Sequence, residues 1–228
     1  MRVAAIMPCR GRAEQTVRNV RRLLATAGHV AWELTCIGGG TERETLIALS
    51  QLGVHTRCVL DTPHLTYWQA LQYETEFYAT DGADAPPLIA TLANDLLPGM
   101  HWLARAVAAY DATFGDGDGM IGFNGDSHEV GHSCHVLISR GLLDRYGGWP
   151  IWYAHNFGDT ELCQRAIADG CYAKAPWAVL YHDHPYFGGA DDAVYAEGRA
   201  TSDQDERLYH ERRRAGWPST DVSRPPLR

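Results

Sequence analysis

The sequence predicts an α/β protein whose mostly parallel central sheet is flanked by helices. Short apolar runs alternate with helical patterns through the first half of the chain, which is typical of a parallel sheet covered on both faces. The length of 228 residues favours one domain with a sizeable core. A content of 45% hydrophobic and 21% charged residues is that of a folded globular protein.

Predicted strands and helices alternate along the first half of the chain. The predicted strands cover residues 3–7, 32–37, 54–60 and 88–92, and a helical face marks residues 67–78. Apolar residues recur at helical spacing from Val17 to Ala27, and Gly28 follows as a C-terminal stop. Thr41 and Glu44 have the spacing of a capping box for a second helix.

The second half is less regular. We predict helices over 101–110, 159–168 and about 203–214, and strands over 120–123, 135–139 and 175–182. Three strands of the first half end beside Arg10, the run Gly38-Gly39-Gly40 and the pair Asn94-Asp95. Since ligands of open α/β sheets bind outside the carboxyl ends of the strands, the sequence predicts the functional site at this edge.

Charge and cysteine content restrict the partners and the compartment. Lys and Arg number 20 against 28 Asp and Glu, a net charge of −8, which argues against non-specific nucleic-acid binding and against acidic membrane surfaces. No apolar run approaches the roughly 18 residues of a membrane span. The six cysteines form no CxxC pair, and we interpret them as free thiols of a cytoplasmic protein.

Five segments together resemble a known enzyme family. They are residues 7–12 (MPCRGR), 92–99 (LANDLLPG), 142–149 (LLDRYGGW), 157–166 (FGDTELCQRA) and 179–185 (VLYHDHP). In this order the segments resemble the large inverting family of nucleotide-sugar-dependent glycosyltransferases with the GT-A fold. The resemblance implies a Rossmann-like GT-A domain over 1–189, with a nucleotide-binding half at about 1–100 and an acceptor half at about 101–189. Residues 190–228 would form a short helical appendage.

The family resemblance implies a metal site. Asp95 matches the acidic ligand of Mn²⁺ or Mg²⁺, His182 matches the second ligand, and His184 is a possible substitute for it. A divalent cation held by carboxylate and imidazole neutralises the charge that grows on a departing nucleotide diphosphate. Asn94 occupies the position that contacts the donor ribose.

The same resemblance implies a donor site and a general base. The donor, with UDP or GDP as the open choices, would contact Pro8, Arg10, Arg12, Gly38, Gly39, Asn94 and Asp95. Asp159 matches the carboxylate that takes the proton of the acceptor hydroxyl. Glu161 is a second candidate base, and Asp159 is equally suited to cap the helix that follows it. The implied reaction is metal-dependent transfer of a sugar to a hydroxyl, with inversion.

Three alternatives stay open at this point. The segment His128-Glu129-Val130-Gly131-His132 is a literal HExxH, the motif in which two histidines bind zinc and the glutamate acts as a base in a hydrolase. A sugar nucleotidyltransferase shares the fold class, although Gly11 alone is a poor version of its glycine-rich signature. A GT-A-like protein that binds nucleotide without transferring sugar is the third.

Overall fold

Strands of the first half alternate with helices and pair in parallel, as the sequence predicts. The computed structural model of the chain describes residues 1–80, 85–125, 132–185 and 189–218. The first four strands are β1 (Arg2–Pro8), β2 (Ala31–Gly39), β3 (His55–Val59) and β4 (Leu88–Thr91). They lie side by side in the order β3-β2-β1-β4 with parallel registers, so their carboxyl ends meet at one edge of the sheet.

The helices between these strands confirm one predicted boundary and correct another. They are α1 (Ala13–Thr26), α2 (Arg43–Ser50) and α3 (Tyr67–Thr80). Gly28 follows α1 with a φ of 87°, the left-handed stop that the sequence predicts. The prediction that Thr41 and Glu44 form a capping box was wrong. A 3₁₀ turn precedes α2, and the Thr41 hydroxyl donates to the carbonyl of Pro63 at 2.7 Å instead of capping the helix.

The second half extends the same sheet with three antiparallel pairs and one parallel pair, β6 with β8, among the described residues. Its strands are β5 (Leu96–Pro98), β6 (Met120–Asn124), β7 (Val136–Ser139) and β8 (Tyr172–His182), and its helices are α4 (Trp102–Phe114), α5 (Arg140–Arg145), α6 (Gly158–Ala168) and α7 (Ala193–Arg214). Within the described ranges the sheet has the order β3-β2-β1-β4-β7-β6-β8-β5. β7 runs antiparallel to β4 and β6. None of the described helices combines the length and the apolar character needed to cross a membrane.

Apolar layers cover both faces of this sheet. Along β1, Val3, Ala5 and Met7 pack into one buried cluster, whereas Ala4 and Ile6 pack into the cluster on the opposite face. Successive side chains of a strand point to opposite faces, so a strand covered on both sides must be apolar at every position. This explains the continuous apolar run from which the strand was predicted.

The C-terminal helix is longer than the sequence predicts. α7 begins at Ala193, whereas the sequence indicates a helix only from about residue 203. Asp192 caps its first turn by accepting the backbone N–H groups of Val194 and Tyr195. Gly198 lowers the intrinsic helix propensity of this first part, and contacts with the rest of the domain offset that cost.

A buried ion pair ties α7 to α6. Arg212 donates Nε and Nη2 to the two carboxylate oxygens of Glu161, both at 2.8 Å. The Tyr153 hydroxyl donates to the same carboxylate at 2.8 Å, and the guanidinium lies 3.8 Å from the ring centroid of Trp152. Glu161 has no exposed surface, so its charge depends on these partners.

We expect Arg212→Ala to lower the free energy of unfolding by up to about 3–5 kcal/mol, because it removes the closer counter-charge of the buried Glu161 carboxylate and leaves, among the described residues, only Arg165 Nη1 at 3.4 Å. The neighbouring exposed Arg213 provides the matched control, and Arg213→Ala should change stability by less than about 0.5 kcal/mol. Urea denaturation of both variants measures the difference. Equal stability of the two variants would contradict the assignment of this pair as a determinant of stability.

Candidate active site

A cavity of about 570 Å³ opens at the carboxyl edge of the parallel strands. Its walls come from the loop after β1, the segment after β4, the end of β8, the loop before α6 and the first turns of α7. The residues that carry its chemistry are Arg10, Arg12, Asn94, Asp95, His135, Asp159, His182, His184, Tyr195 and Glu197. The position at this edge is the one predicted for an open α/β sheet.

Asp95 lies at the centre of the polar contacts of this cavity. Its Oδ2 accepts hydrogen bonds from Arg12 Nη1 at 2.8 Å and from the Tyr195 hydroxyl at 2.7 Å. Its Oδ1 lies 3.2 Å from His182 Nε2. Burial by itself raises the pKa of the Asp95 carboxyl, but His182, Tyr195 and Arg12 together outweigh burial and hold that pKa well below its usual range. Asp95 is therefore an anion at neutral pH.

Three of the imidazoles that line the cavity lie close together beside this carboxylate. The ring centroid of His182 lies 5.1 Å from that of His184 and 5.2 Å from that of His135. Burial lowers the pKa of His184 to about 4 and the pKa of His135 to about 3, and the neighbouring His182 adds to both shifts. Both rings are neutral at pH 7, which is the form that binds metals.

Asp95 and His182 fit a divalent cation. Asp95 Oδ1 is buried, and its contact with His182 Nε2 falls short of hydrogen-bond geometry. Adjacent ligands of an octahedral Mg²⁺ at about 2.1 Å lie about 3 Å apart, close to the 3.2 Å between this oxygen and His182 Nε2. In the part of the chain that the structure describes, no three His, Cys, Asp or Glu side chains gather as a metal site. Mg²⁺ sites with one or two protein ligands are completed by water and substrate phosphates.

Arg12 joins the loop after β1 to α7. Besides its bond to Asp95, its Nη2 donates to Asp192 at 2.9 Å, and its guanidinium lies 3.8 Å from the ring centroid of Tyr195. Its backbone is left-handed, with a φ of 54°. The positive charge is thus held at the cavity wall by two carboxylates and an aromatic ring.

Three further residues predicted to contact the donor, Pro8, Arg10 and Asn94, also line the cavity. Arg10 forms an ion pair with Glu197 of α7. The amide nitrogen of Asn94 donates to the Arg10 carbonyl at 3.1 Å and to the Thr16 hydroxyl at 3.0 Å. Asn94 therefore fixes the loop after β1, and its contact with a donor ribose stays a prediction.

Gly38 and Gly39 do not line the cavity. A Cβ at Gly39 would lie 2.4 Å from the carbonyl oxygen of Pro63, and one at Gly38 would lie 2.8 Å from Cβ of Glu42. The glycines are required because neighbouring chain segments pass too close for a side chain. Their predicted contact with the donor is not supported by this arrangement.

The two candidate bases have different surroundings. Asp159 lines the cavity and is partly exposed, and its Oδ1 accepts the backbone N–H of Thr160 at 2.8 Å. Glu161 is fully buried, and both of its oxygens accept hydrogen bonds from Arg212. Phe157, with a φ of 67°, stands at the N-cap of α6, so the capping role considered for Asp159 was wrong. The geometry favours Asp159 as the group available to a substrate.

The loop before α6 is held in place from α7. Asp205 is buried and accepts the backbone N–H groups of Ala154, His155 and Asn156 at 2.8–2.9 Å. Gly198 brings the helix close to this loop, since a Cβ there would lie 2.6 Å from Cδ2 of His155. One wall of the cavity thus depends on residues about fifty positions further along the chain.

The HExxH segment is only partly described. His128 and Glu129 lie outside the described residues, so the zinc interpretation stays a prediction. His132 is described, and its Nε2 lies 3.3 Å from the Thr160 hydroxyl beside Asp159.

The sequence analysis did not identify five residues of the site, which are His135, Asp192, Tyr195, Glu197 and Asp205. His135 carried a weak signal, because a polar residue at the start of a buried strand at the functional edge suggests a site. The other four belong to α7 or to its N-cap, and their contacts leave no pattern in the local sequence.

Comparison with solved structures supports the fold class. The mannosyltransferase PcManGT from Pyrobaculum calidifontis, solved with GDP-Man and Mn²⁺, is similar at a TM-score of 0.62 and 16% identity, over 79% of this chain and 56% of that chain. Glucosyl-3-phosphoglycerate synthase from Mycobacterium tuberculosis, solved with Mn²⁺, UDP and phosphoglyceric acid, is similar at a TM-score of 0.60 and 15% identity, over 95% of this chain and 79% of that chain. Drosophila β1,4-galactosyltransferase 7, solved with xylobiose, is similar at a TM-score of 0.56 and 16% identity, over 84% of this chain and 74% of that chain.

These similarities confirm the predicted GT-A fold. The chain spans just over half the length of the mannosyltransferase. No family model and no curated protein matches the sequence.

We expect Asp205→Asn to destabilise the loop at residues 154–156. The side-chain amide has one accepting oxygen instead of two, and its NH₂ group would face backbone N–H groups that also donate. The loss should be about 1.5–3 kcal/mol, the range for hydrogen bonds to a charged group. Urea denaturation measures the global loss, and faster amide hydrogen exchange at Ala154, His155 and Asn156 locates it. Asp203→Asn on the exposed face of the same helix is the control. Unchanged exchange at the three amides would contradict this role.

Proposed function

We propose that the protein is a glycosyltransferase that moves a sugar from a nucleotide-sugar donor to an acceptor hydroxyl, with inversion at the anomeric carbon. The observation that carries the proposal is the cavity at the carboxyl edge of a GT-A sheet, where the paired Asp95 and His182 and the partly exposed Asp159 share one space. Two of the solved structures that resemble the chain, the mannosyltransferase and the glucosyl-3-phosphoglycerate synthase, hold GDP-Man or UDP together with Mn²⁺, which supports a donor of this class.

Asp95 and His182 would hold Mn²⁺ or Mg²⁺, with His184 as the neighbouring imidazole. When bound, the cation would offset the negative charge that develops on the diphosphate leaving group. Arg10 and Arg12 line the cavity from the loop after β1, and their guanidinium groups suit the recognition of phosphate oxygens.

Asp159 is the proposed general base. As the acceptor oxygen forms its bond to the anomeric carbon, the proton of the hydroxyl passes to the Asp159 carboxylate. The bond between the anomeric carbon and the diphosphate oxygen breaks, and the nucleotide diphosphate leaves with the electron pair. A single displacement of this kind inverts the configuration. The cytoplasmic location and the lack of non-specific nucleic-acid binding stay predictions from composition.

Nucleotide binding tests the donor class directly. We expect UDP or GDP, but not both equally, to raise the melting temperature in the presence of Mn²⁺ or Mg²⁺ and not in EDTA. A ligand at 100 times its Kd stabilises a fold by about 2.7 kcal/mol, which is about 5–10 °C for a domain of this size. Asp95→Asn should lose this shift, whereas Asp111→Asn on the exposed surface of α4 should keep it.

Two outcomes of this experiment would contradict the proposal. A shift by Zn²⁺ alone, with no response to any nucleotide, would favour the hydrolase interpretation of His128, Glu129 and His132. Nucleotide binding without release of nucleotide from any sugar donor would favour a binding protein that does not transfer sugar.

We expect Asp159→Asn to bind donor as well as the unchanged protein and to transfer sugar at least 100-fold more slowly, since a positioned base contributes about 10²–10⁴ to the rate. Donor binding by calorimetry and nucleotide release in the presence of acceptor separate the two effects. Asp144→Asn, at an exposed carboxylate of α5, is the matched control. An unchanged transfer rate would remove Asp159 from the mechanism.

A further inference from the structure

The two sides of the cavity differ in charge. In the described part of the chain, the Lys and Arg side chains that line it are Arg10 and Arg12, and both belong to the loop after β1, on the donor side. On the opposite side Asp159 of α6 lines the cavity, whereas Glu197 of α7 reaches Arg10 and pairs with it. A negatively charged molecule on that side would meet the carboxylate of Asp159.

Both arginines are already engaged by carboxylates. Arg12 is bound by Asp95 and Asp192, and its side chain is only 8% exposed. Arg10 forms its ion pair with Glu197. The positive charge of each arginine is therefore matched by at least one carboxylate of the protein itself.

The rest of the sequence contains few other Lys or Arg side chains that could bind an anion in the cavity. Outside the described ranges, residues 81–84, 126–131 and 186–188 contain no Lys or Arg, and the C-terminal residues 219–228 contain Arg224 and Arg228. The chain has a single lysine, Lys174, which is not among the residues that line the cavity.

The neutral part of this wall is aromatic with a few polar groups. The ring of Trp68 lines the cavity while its Nε1 donates to the carbonyl of His155 at 3.2 Å, so the polar end of the indole is already satisfied. Phe157 adds a second aromatic surface, and Asn156 and Thr201 add an amide and a hydroxyl. Apolar surfaces with a few placed polar groups are typical of sites for small uncharged ligands.

We propose that the acceptor subsite lies between α7 and the loop before α6, and that it takes an uncharged polyhydroxylated acceptor, such as a sugar or a glycoside, rather than a phosphorylated or carboxylated one. This inference rests on the proposed function and names its acceptor class. A phosphate here would lie beside the Asp159 carboxylate, while the two cavity arginines are already matched by Glu197, Asp95 and Asp192, and like-charge contact of this kind is how a site rejects a wrong charge. A neutral acceptor needs no such compensation, and its hydroxyl still meets the Asp159 carboxylate.

Paired acceptor probes test the charge preference. Nucleotide release from the preferred donor is measured with methyl glucoside, methyl mannoside and methyl galactoside, and with glucose 6-phosphate, mannose 6-phosphate and galacturonate as their anionic counterparts. We expect at least one neutral probe to raise release at least tenfold above the rate with its counterpart. A higher rate with any anionic probe than with its neutral partner, or no stimulation by any neutral probe, would overturn the proposal.

A bulky substitution tests the location. Thr201→Tyr fills the proposed subsite from α7, and we expect it to raise KM for the neutral probe at least tenfold while donor binding stays unchanged. Asp203→Tyr places the same side chain on the exposed face of the helix and should leave both quantities unchanged. An unchanged KM in Thr201→Tyr, with donor binding intact, would show that the acceptor binds elsewhere.

Donor binding separates this inference from the proposed function. If no nucleotide binds in the presence of metal, the proposed function itself fails. If nucleotide binds and only phosphorylated or carboxylated probes stimulate its release, the transferase proposal survives and the inferred acceptor class is wrong.

Discussion

The carboxylate of Asp95 joins three parts of the chain that are far apart in sequence. It follows β4, it accepts hydrogen bonds from Arg12 in the loop after β1 and from Tyr195 in α7, and it lies beside His182 at the end of β8. A buried carboxylate is costly unless it is paired, so these elements must meet here for the charge to be tolerated. The same pairing keeps Asp95 ionised and leaves Oδ1 toward His182, the arrangement that suits a divalent cation.

The C-terminal helix extends this dependence to the opposite wall. Asp192 binds Arg12, Asp205 orders the loop before α6, and Arg212 pairs with Glu161 in the same helix as Asp159. α7 therefore fixes both the cationic side and the carboxylate side of one cavity. Because Asp205 and Arg212 are buried charged groups, substitutions at these positions are expected to shift the residues of the site as well as to lower stability.

Burial distinguishes two carboxylates that the sequence presents as equals. Asp159 and Glu161 stand two residues apart in the first turn of α6, yet one borders the cavity and the other is enclosed by Arg212 and Tyr153. A helix rotates by about 100° per residue, so neighbouring acidic residues face different surroundings. The proposed reaction needs a carboxylate that a hydroxyl can reach, and only the surroundings decide which one that is.

The sequence by itself determined the alternation of strands and helices, the edge of the sheet where the site lies, and the local segments that contain Asp95, Asp159 and His182. These follow from apolar periodicity and from short motifs, which are local properties of the chain. Only the tertiary structure shows that neighbouring segments pack too closely for a side chain at Gly38 or Gly39, and that Glu161 forms an ion pair with Arg212. It also shows that residues of α7 line the cavity. Such facts depend on contacts between residues far apart in sequence, such as the pairs of Arg12 with Asp192 and of Glu161 with Arg212, and no local pattern encodes them.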